Sequence, residues 1–385
     1  MNSFVSGREK SFAEISEKIS GQNEVIWVHC ASLGEFEQGR PLIENIKTKY
    51  PDYKVVLTFF SPSGYEIQKN YSLADVTVYL PLDTINNAKK FLDLVNPKIA
   101  IFVKYEFWPN ILRELKKRNI TTLLVSGIFR SNQVFFKDYG SWMRKSLKAF
   151  SHFFVQNENS KMLLNSIGYH NSTVSGDTRF DRVYKIINQD NHLDFIDDFV
   201  QNKYTLVAGS TWPKDEELLV NYINNIASDK EKFIIAPHNI TVKGIENLQR
   251  SIIKKTTLFS DKNKNNNAQV FIVNTIGILT KIYSYANVVY VGGGFGVGIH
   301  NLLEPAAYGV PIIIGPNFKK FREAVDLVNL KACYSILDQE ELNNYLIQLY
   351  ADERFREEKI LSTKNYISKN IGATEIILSY ISKKI

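Results

Sequence analysis

The strongest constraint on the fold is an alternation that occurs twice along the chain. Short runs rich in β-branched and aromatic residues, 25–30, 54–60, 76–80, 99–103, 122–126 and 153–156, are separated by amphipathic stretches such as 41–49 and 108–118. After a polar stretch at 177–203 a second series follows, 206–209, 233–236, 270–273, 288–291 and 311–314, with a helical pattern at 374–385. Short apolar runs buried on both faces and spaced by helices read as strands of a parallel sheet. The 385 residues suffice for two such sheets, each with its own core. The expected architecture is α/β, two Rossmann-like doubly wound domains, 1–180 and 204–385, facing across a cleft. The last helix is free to pack back on the first domain. Ligands of such sheets bind beyond the carboxyl ends of the strands, so the residues just after each strand carry the functional reading.

Composition narrows the partners only loosely. Lysine and arginine total 47 against 40 acidic residues, a formal charge of +7, which favours anions in general and selects none. Cys30 and Cys333 stand alone with no CxxC, so a reduced compartment without a structural disulfide is expected. No apolar run reaches the ~18 residues of a membrane span, and the start, "MNSFVSGREKSFAEISEKIS", lacks a signal-peptide core. The low-complexity patch 261–269 reads as a surface loop. The six histidines are scattered without HxxxH or HExxH spacing, so no metal is expected.

Several post-strand motifs stand out. In "HCASLGEFEQGRP" (29–41), Gly34 allows a tight turn and Glu35 follows it directly. Glu35 is either a first-turn acid complementing a helix dipole or a general base kept ionised by the helix N-terminus. Because Pro41 suits a first helical turn, 34–39 is either a loop or a kinked first turn. In "VGGGFGVGIHNLLEPAAYGVPIIIGP" (291–316), five glycines follow a strand and precede a helix from about Leu302. Such a loop lets backbone amides face a phosphate, although Val297 breaks GxGxxG. Glu304 could accept hydrogen bonds from ribose hydroxyls. "VAGSTWPKDEELL" and "IIAPHNI" place Ser210, Thr211 and His238 on the same rim, and "KYEFWPN" ends a strand of the first half. "SWMRKSLKAF" (141–150) reads as a domain helix covered by lysine stems rather than a membrane contact.

Taken in order, "WVHCASLGE", "LPLD", "YEFWPN", "GDTRFD", "GST", "PH" and "GIHNLLEPAAYG" resemble the Kdo transferases. These glycosyltransferases move 3-deoxy-D-manno-oct-2-ulosonic acid (Kdo) from CMP-Kdo to the lipid A precursor of Gram-negative lipopolysaccharide. The resemblance runs from about Val25 past Phe321. It implies a GT-B fold with the acceptor on the first domain and CMP on the second, and neither cofactor nor metal. It also implies work at the cytoplasmic face of the inner membrane, whose surface is then a partner, and no nucleic-acid partner.

By the same resemblance Glu35 is the general base of an inverting transfer, and Arg179 stands where the family usually has lysine. Glu106 and Lys104 fall on its E-x-E. Pro237 and His238 fall on an Arg-His pair, Ile276, Gly277 and Ile278 on Met-Gly-Glu, and Asn301 and Glu304 on Asn-x-x-Glu. Gly293, Gly294, Gly296 and His300, with Ser210 and Thr211, complete the implied CMP site, and Ser61, Ser63 and Gly64 the implied acceptor site. The departures are specific. Lys104 is basic where the family is acidic, Pro237 lacks the arginine, Ile278 lacks the glutamate, and "SGIFR" replaces Asn-Ala-Arg-Leu-Ser. The family's usual hydrophobic anchor and basic start are missing, which implies either a truncated chain or association through the basic surface. Two rival readings remain: a nucleotide-sugar epimerase of GT-B-like fold, and an inactive membrane-surface homologue.

Overall fold

The computed structural model describes residues 2–261, 267–296 and 298–385, with the backbone alone at 2–6 and 9. Most of the expected 261–269 loop, and Val297, lie outside the described residues. The chain divides into two compact units, Met1–Arg182 with Asn370–Ile385, and Val183–Lys369.

The first unit holds a seven-stranded sheet: β1 (Val25–Cys30), β2 (Lys54–Phe59), β3 (Val76–Tyr79), β4 (Ile99–Val103), β5 (Thr121–Gly127), β6 (His152–Val155) and β7 (Ser172–Val174). Its order is β3-β2-β1-β4-β5-β6-β7, and every pairing is parallel. Successive side chains of β1 face opposite sides of the sheet. Trp27 packs with Phe91 and Phe102 on one side, while Ile26, Val28 and Cys30 pack with Phe36, Leu42 and Ile43 on the other. The second layer is completed by Ile377, Leu378 and Ile381 of the C-terminal helix Ala373–Ile381. Three such buried side chains contribute about 1.5–3 kcal/mol each, which ties residues 370–385 to this unit although they follow the second sheet in sequence.

The second unit repeats the plan with β8 (Tyr204–Thr211), β9 (Glu231–Pro237), β10 (Thr256–Leu258), β11 (Val270–Ile272), β12 (Val288–Val291), β13 (Ile312–Ile314) and β14 (Cys333–Ser335). Its order is β10-β11-β9-β8-β12-β13-β14, again all parallel. The polar stretch 177–203 is not an extended linker but carries two helices, Arg179–Ile187 and Asp194–Val200. β7, β10 and β14 have three residues each and lie at sheet edges. The sequence pattern does not mark these three, whereas it does mark β11 and β13, equally short but lying inside the sheet as apolar runs.

Each sheet reverses strand order beside its first strand. In the first unit the chain runs outward from β1 to β3 and returns beside β1 as β4. In the second it leaves β8 toward β10 and returns beside β8 as β12. The crevice at such a switch point opens at the carboxyl ends of the two strands. Those ends carry Ala31–Glu35 with Lys104–Glu106 in one unit, and Ser210–Trp212 with Gly292–Gly294 in the other.

Candidate active site

The turn after β1 runs directly into helix Leu33–Lys49, so 34–39 is helical and Pro41 sits inside the helix. Glu35 lies in its first turn and curls back to accept the Ala31 N–H at 2.5 Å. It is only 6% exposed. Burial raises its pKa to about 7, and the nearby charge of Glu106 pushes the same way. The backbone N–H groups of Ala31 and Ser32 and the Lys104 ammonium pull it down without cancelling this. The helix start alone was expected to keep this carboxylate ionised; desolvation outweighs it. A base near neutrality suits proton abstraction, because the ionised fraction and the driving force are then both adequate.

Ser61 and Gly64 adjoin this turn. The Ser61 N–H donates to Ala31 O at 2.7 Å, and the Ser61 hydroxyl caps helix Pro62–Gln68 by accepting from Ser63 N. Gly64 is required by its contacts: a Cβ there would meet the Phe59 ring and lie 3.1 Å from Leu33 N. Lys104 follows β4 with a left-handed backbone (φ 71°), as do Ser126 at the end of β5 (φ 49°) and Ser210 at the end of β8 (φ 54°). Such conformations in non-glycine residues cost of order 1–3 kcal/mol and concentrate at working sites.

Arg179 is not a free cation awaiting a ligand. Its Nε and Nη2 donate to Asp177 Oδ2 at 3.0 and 2.9 Å, and Gln38 Nε2 donates to the same oxygen. Asp177 is buried; burial opposes its charge, but the Arg179 charge and the hydrogen bonds from Arg179 and Gln38 outweigh that and hold its pKa below the ordinary value. The group therefore contributes stability above the unfolded carboxylate pKa, lost as pH falls through the lower folded value. Arg179→Ala strands a buried carboxylate, a loss of roughly 1.5–3 kcal/mol. Thermal denaturation should show a Tm deficit at pH 7 that shrinks under acidic conditions, where Asp177 is protonated; a deficit independent of pH would mean the pair is not what the arginine supports.

The second unit gathers the residues expected at the nucleotide. The His238 N–H donates to Thr211 O and the Gly292 N–H to Gly209 O, both at 2.9 Å. Pro237 pairs with Thr211 across the β8–β9 register shift. Trp212, His238 and His300 form a stack, with centroids 4.9 Å apart for Trp212–His238 and 4.3 Å for His238–His300. The Trp212 Nε1–H donates to His300 Nε2 at 2.9 Å, leaving that nitrogen an acceptor. Burial, then the neighbouring His238, lowers the His300 pKa, which keeps the ring neutral. Glu304 accepts from Asn301 Nδ2 and Thr280 Oγ1, which ties the 276–280 segment to helix Leu303–Ala307. That helix has five residues, so its dipole is small, and the Gly292, Gly293, Gly296 and His300 N–H groups of the loop donate to Gly209 O, Asp215, Gly293 O and Gly292 O. Gly277 has φ 95°, Gly294 packs on Gly315 and Gly296 is exposed. Ile278 is half-buried and Ile276 is 88% exposed, and neither side chain carries a hydrogen-bonding group.

Three residues escaped the sequence reading. Asp215 is fully buried and binds the Trp212 N–H, the Gly293 N–H and the Tyr290 hydroxyl at 2.7–2.9 Å, locking the glycine loop to the start of helix Pro213–Asn225. An acid three residues after the helix start is a recognisable capping signal. Trp212 and His29 carried no such mark.

Residues 7–182 match the family model described as 3-deoxy-D-manno-octulosonic-acid transferase (kdotransferase). A 3-deoxy-D-manno-octulosonic acid transferase from Rickettsia bellii is 28% identical over 367 residues, covering 91% of this chain and 84% of that protein. Among solved structures, a UDP-GlcNAc 2-epimerase from Neisseria meningitidis aligns with TM-score 0.63 at 14% identity, over 94% of this chain and 100% of its own. CalG4, a calicheamicin glycosyltransferase, aligns with TM-score 0.56 at 11% identity, over 94% and 99%. These two likenesses establish the GT-B class of fold and nothing about chemistry. Residues 7–182 are thus similar to the Kdo transferase family model, in a chain similar over 91% of its length to a 3-deoxy-D-manno-octulosonic acid transferase.

Proposed function

We propose that the protein is an inverting glycosyltransferase that moves Kdo from CMP-Kdo to a hydroxyl of the lipid A precursor (lipid IVA) in lipopolysaccharide biosynthesis. The observation that carries this is Glu35, a buried carboxylate with a pKa of about 7 at the β1–β4 switch point. Glu35 takes the proton of the attacking acceptor hydroxyl as the hydroxyl oxygen bonds to the anomeric carbon of Kdo. The bond to the CMP phosphate breaks on the opposite face. Lys104, beside Glu35, is the first unit's cation for substrate anions, with Glu106 next to the base, while Arg179 is engaged by Asp177. Ser61, Ser63 and Gly64 line the acceptor side. Ser210, Thr211, His238, the 292–296 backbone, His300, Asn301 and Glu304 hold CMP, and donors arranged in advance stabilise the leaving phosphate.

Membrane-surface work at the cytoplasmic face of the inner membrane fits the segment after β5. Leu147 and Phe150 are buried as a domain helix requires, but Tyr139 and Trp142 are 70% and 59% exposed, next to the exposed Lys145 and Lys148. Aromatic and basic side chains together suit a lipid headgroup boundary.

The test is mass spectrometry of lipid IVA incubated with the protein and preformed CMP-Kdo. The acceptor should gain Kdo, and should do so in EDTA, because no cluster of metal-binding side chains exists among the described residues. Loss of transfer on chelation, restored by one divalent ion, would refute the metal-free mechanism. Turnover of a nucleotide sugar with no acceptor present would favour the epimerase reading, and CMP-Kdo binding without turnover an inactive homologue.

A further inference from the structure

Behind Glu106 lies a buried side chain that the reaction as described does not use. His29 is the fifth residue of β1 and is 0% exposed, yet both its ring nitrogens are engaged. Nδ1 lies 2.9 Å from Thr58 Oγ1 on β2, and that oxygen also accepts the Trp27 Nε1–H at 2.9 Å. Nε2 lies 3.4 Å from Glu106 Oε2. The Trp108 Nε1–H bridges this gap, at 3.1 Å from His29 Nε2 and 3.0 Å from Glu106 Oε2. Phe102 packs edge-on to the imidazole. A polar ring placed on the apolar layer of Trp27 and Phe102 is costly unless each nitrogen is satisfied. Here the bonds lead from the sheet interior to one carboxylate at the switch point.

We propose that His29 is a positioning residue for the transfer reaction: with Thr58 and Trp108 it holds the Glu106 carboxylate in place beside the base Glu35. The inference rests on the reading of Glu35 as general base. Glu106 acts on Glu35 by like-charge repulsion, against Lys104 and the N–H groups of Ala31 and Ser32, with the buried Cys30 thiol adjacent. A carboxylate free to swing into water would exert less of that repulsion, and Glu35 would become a weaker base. The imidazole does this without touching substrate. Trp108 can only donate, so whichever tautomer His29 adopts, Glu106 Oε2 remains anchored by a hydrogen bond from this group of side chains.

The experiment follows the acid limb of the pH profile of kcat/KM, together with the titration of Glu35 by carboxyl-carbon NMR, assigned with Glu35→Gln. Glu106→Gln should move the Glu35 midpoint down by about one pH unit. His29→Phe, which keeps ring volume but no nitrogen, should move it in the same direction by about half as much, and Thr58→Val and Trp108→Phe likewise by less. His29→Phe combined with Glu106→Gln should add nothing to Glu106→Gln alone, the signature of one residue acting through another. A purely structural role would lower activity and Tm at every pH and leave the midpoint where it was. An unmoved or raised midpoint in His29→Phe and Trp108→Phe, or full additivity in the double variant, overturns the inference. Should His29→Phe not fold, Trp108→Phe reaches the same carboxylate from the surface. A protein that transfers no Kdo but whose Glu35 titration still shifts with His29 would refute the catalytic reading and leave the positioning intact.

Discussion

Glu35→Gln is expected to lower kcat by about 10²–10⁴-fold, the usual worth of a general base, while CMP binding to the second unit is unchanged. The carboxamide oxygen can still accept the Ala31 N–H, so the turn after β1 should survive and only the basicity is lost. Stability supplies an independent sign. The folded pKa of Glu35 is raised from 4.5 to about 7, so the folded state holds a proton that the unfolded chain has already released. Its ionisation therefore costs stability progressively between those two pH values. The glutamine variant should be more heat-resistant than the parent at pH 8 and little different at pH 4. A slow but more stable variant is the outcome expected where an active site stores unfavourable electrostatics. Near-normal turnover would sink the assignment.

The second large effect is expected at Gly292, where β12 ends against β8. A Cβ there would strike the Ser210 carbonyl oxygen and lie 2.7 Å from Thr211 Cα and 2.8 Å from Ser210 C. These are backbone atoms of the neighbouring strand and cannot rotate away. Overpacking of this kind costs roughly 1–3 kcal/mol or more, and it falls on the two strand ends that make the nucleotide half-site. Gly292→Ala should therefore lose about 100-fold or more in CMP affinity and several degrees in Tm, measured by calorimetry and thermal denaturation. Gly296→Ala is the stability control, since its nearest neighbour would be Gly293 O at 3.7 Å. Equal Tm losses in the two would show that the loop is merely sensitive to alanine, rather than pressed onto β8.

By itself the sequence determined the class of fold, two parallel sheets, because strands buried on both faces and spaced by helices are the pattern of a parallel sheet covered by helices, and a polar stretch divides them into two series. It also marked the candidate site residues. Glu35 after Gly34, the 292–298 glycines and the Gly-Ser-Thr and Pro-His turns are all local signals, readable from neighbours in the chain. Strand order is not local. Only the tertiary structure put β4 beside β1 and β12 beside β8, making switch points of strand ends that are otherwise interchangeable. The same holds for charge. A helix start predicts an ionised Glu35, but its pKa of about 7 comes from burial and from Glu106, far off in sequence. Arg179 looked like a cation facing a ligand until Asp177, packed under Gln38, took up its guanidinium. His29 reads as one more residue of a buried strand, and what it can do depends on Thr58, Glu106 and Trp108, brought to it from β2 and from the turn after β4. Electrostatics and hydrogen bonding act through space, and periodicity in a sequence records only which face of an element is buried, not what waits on the other side.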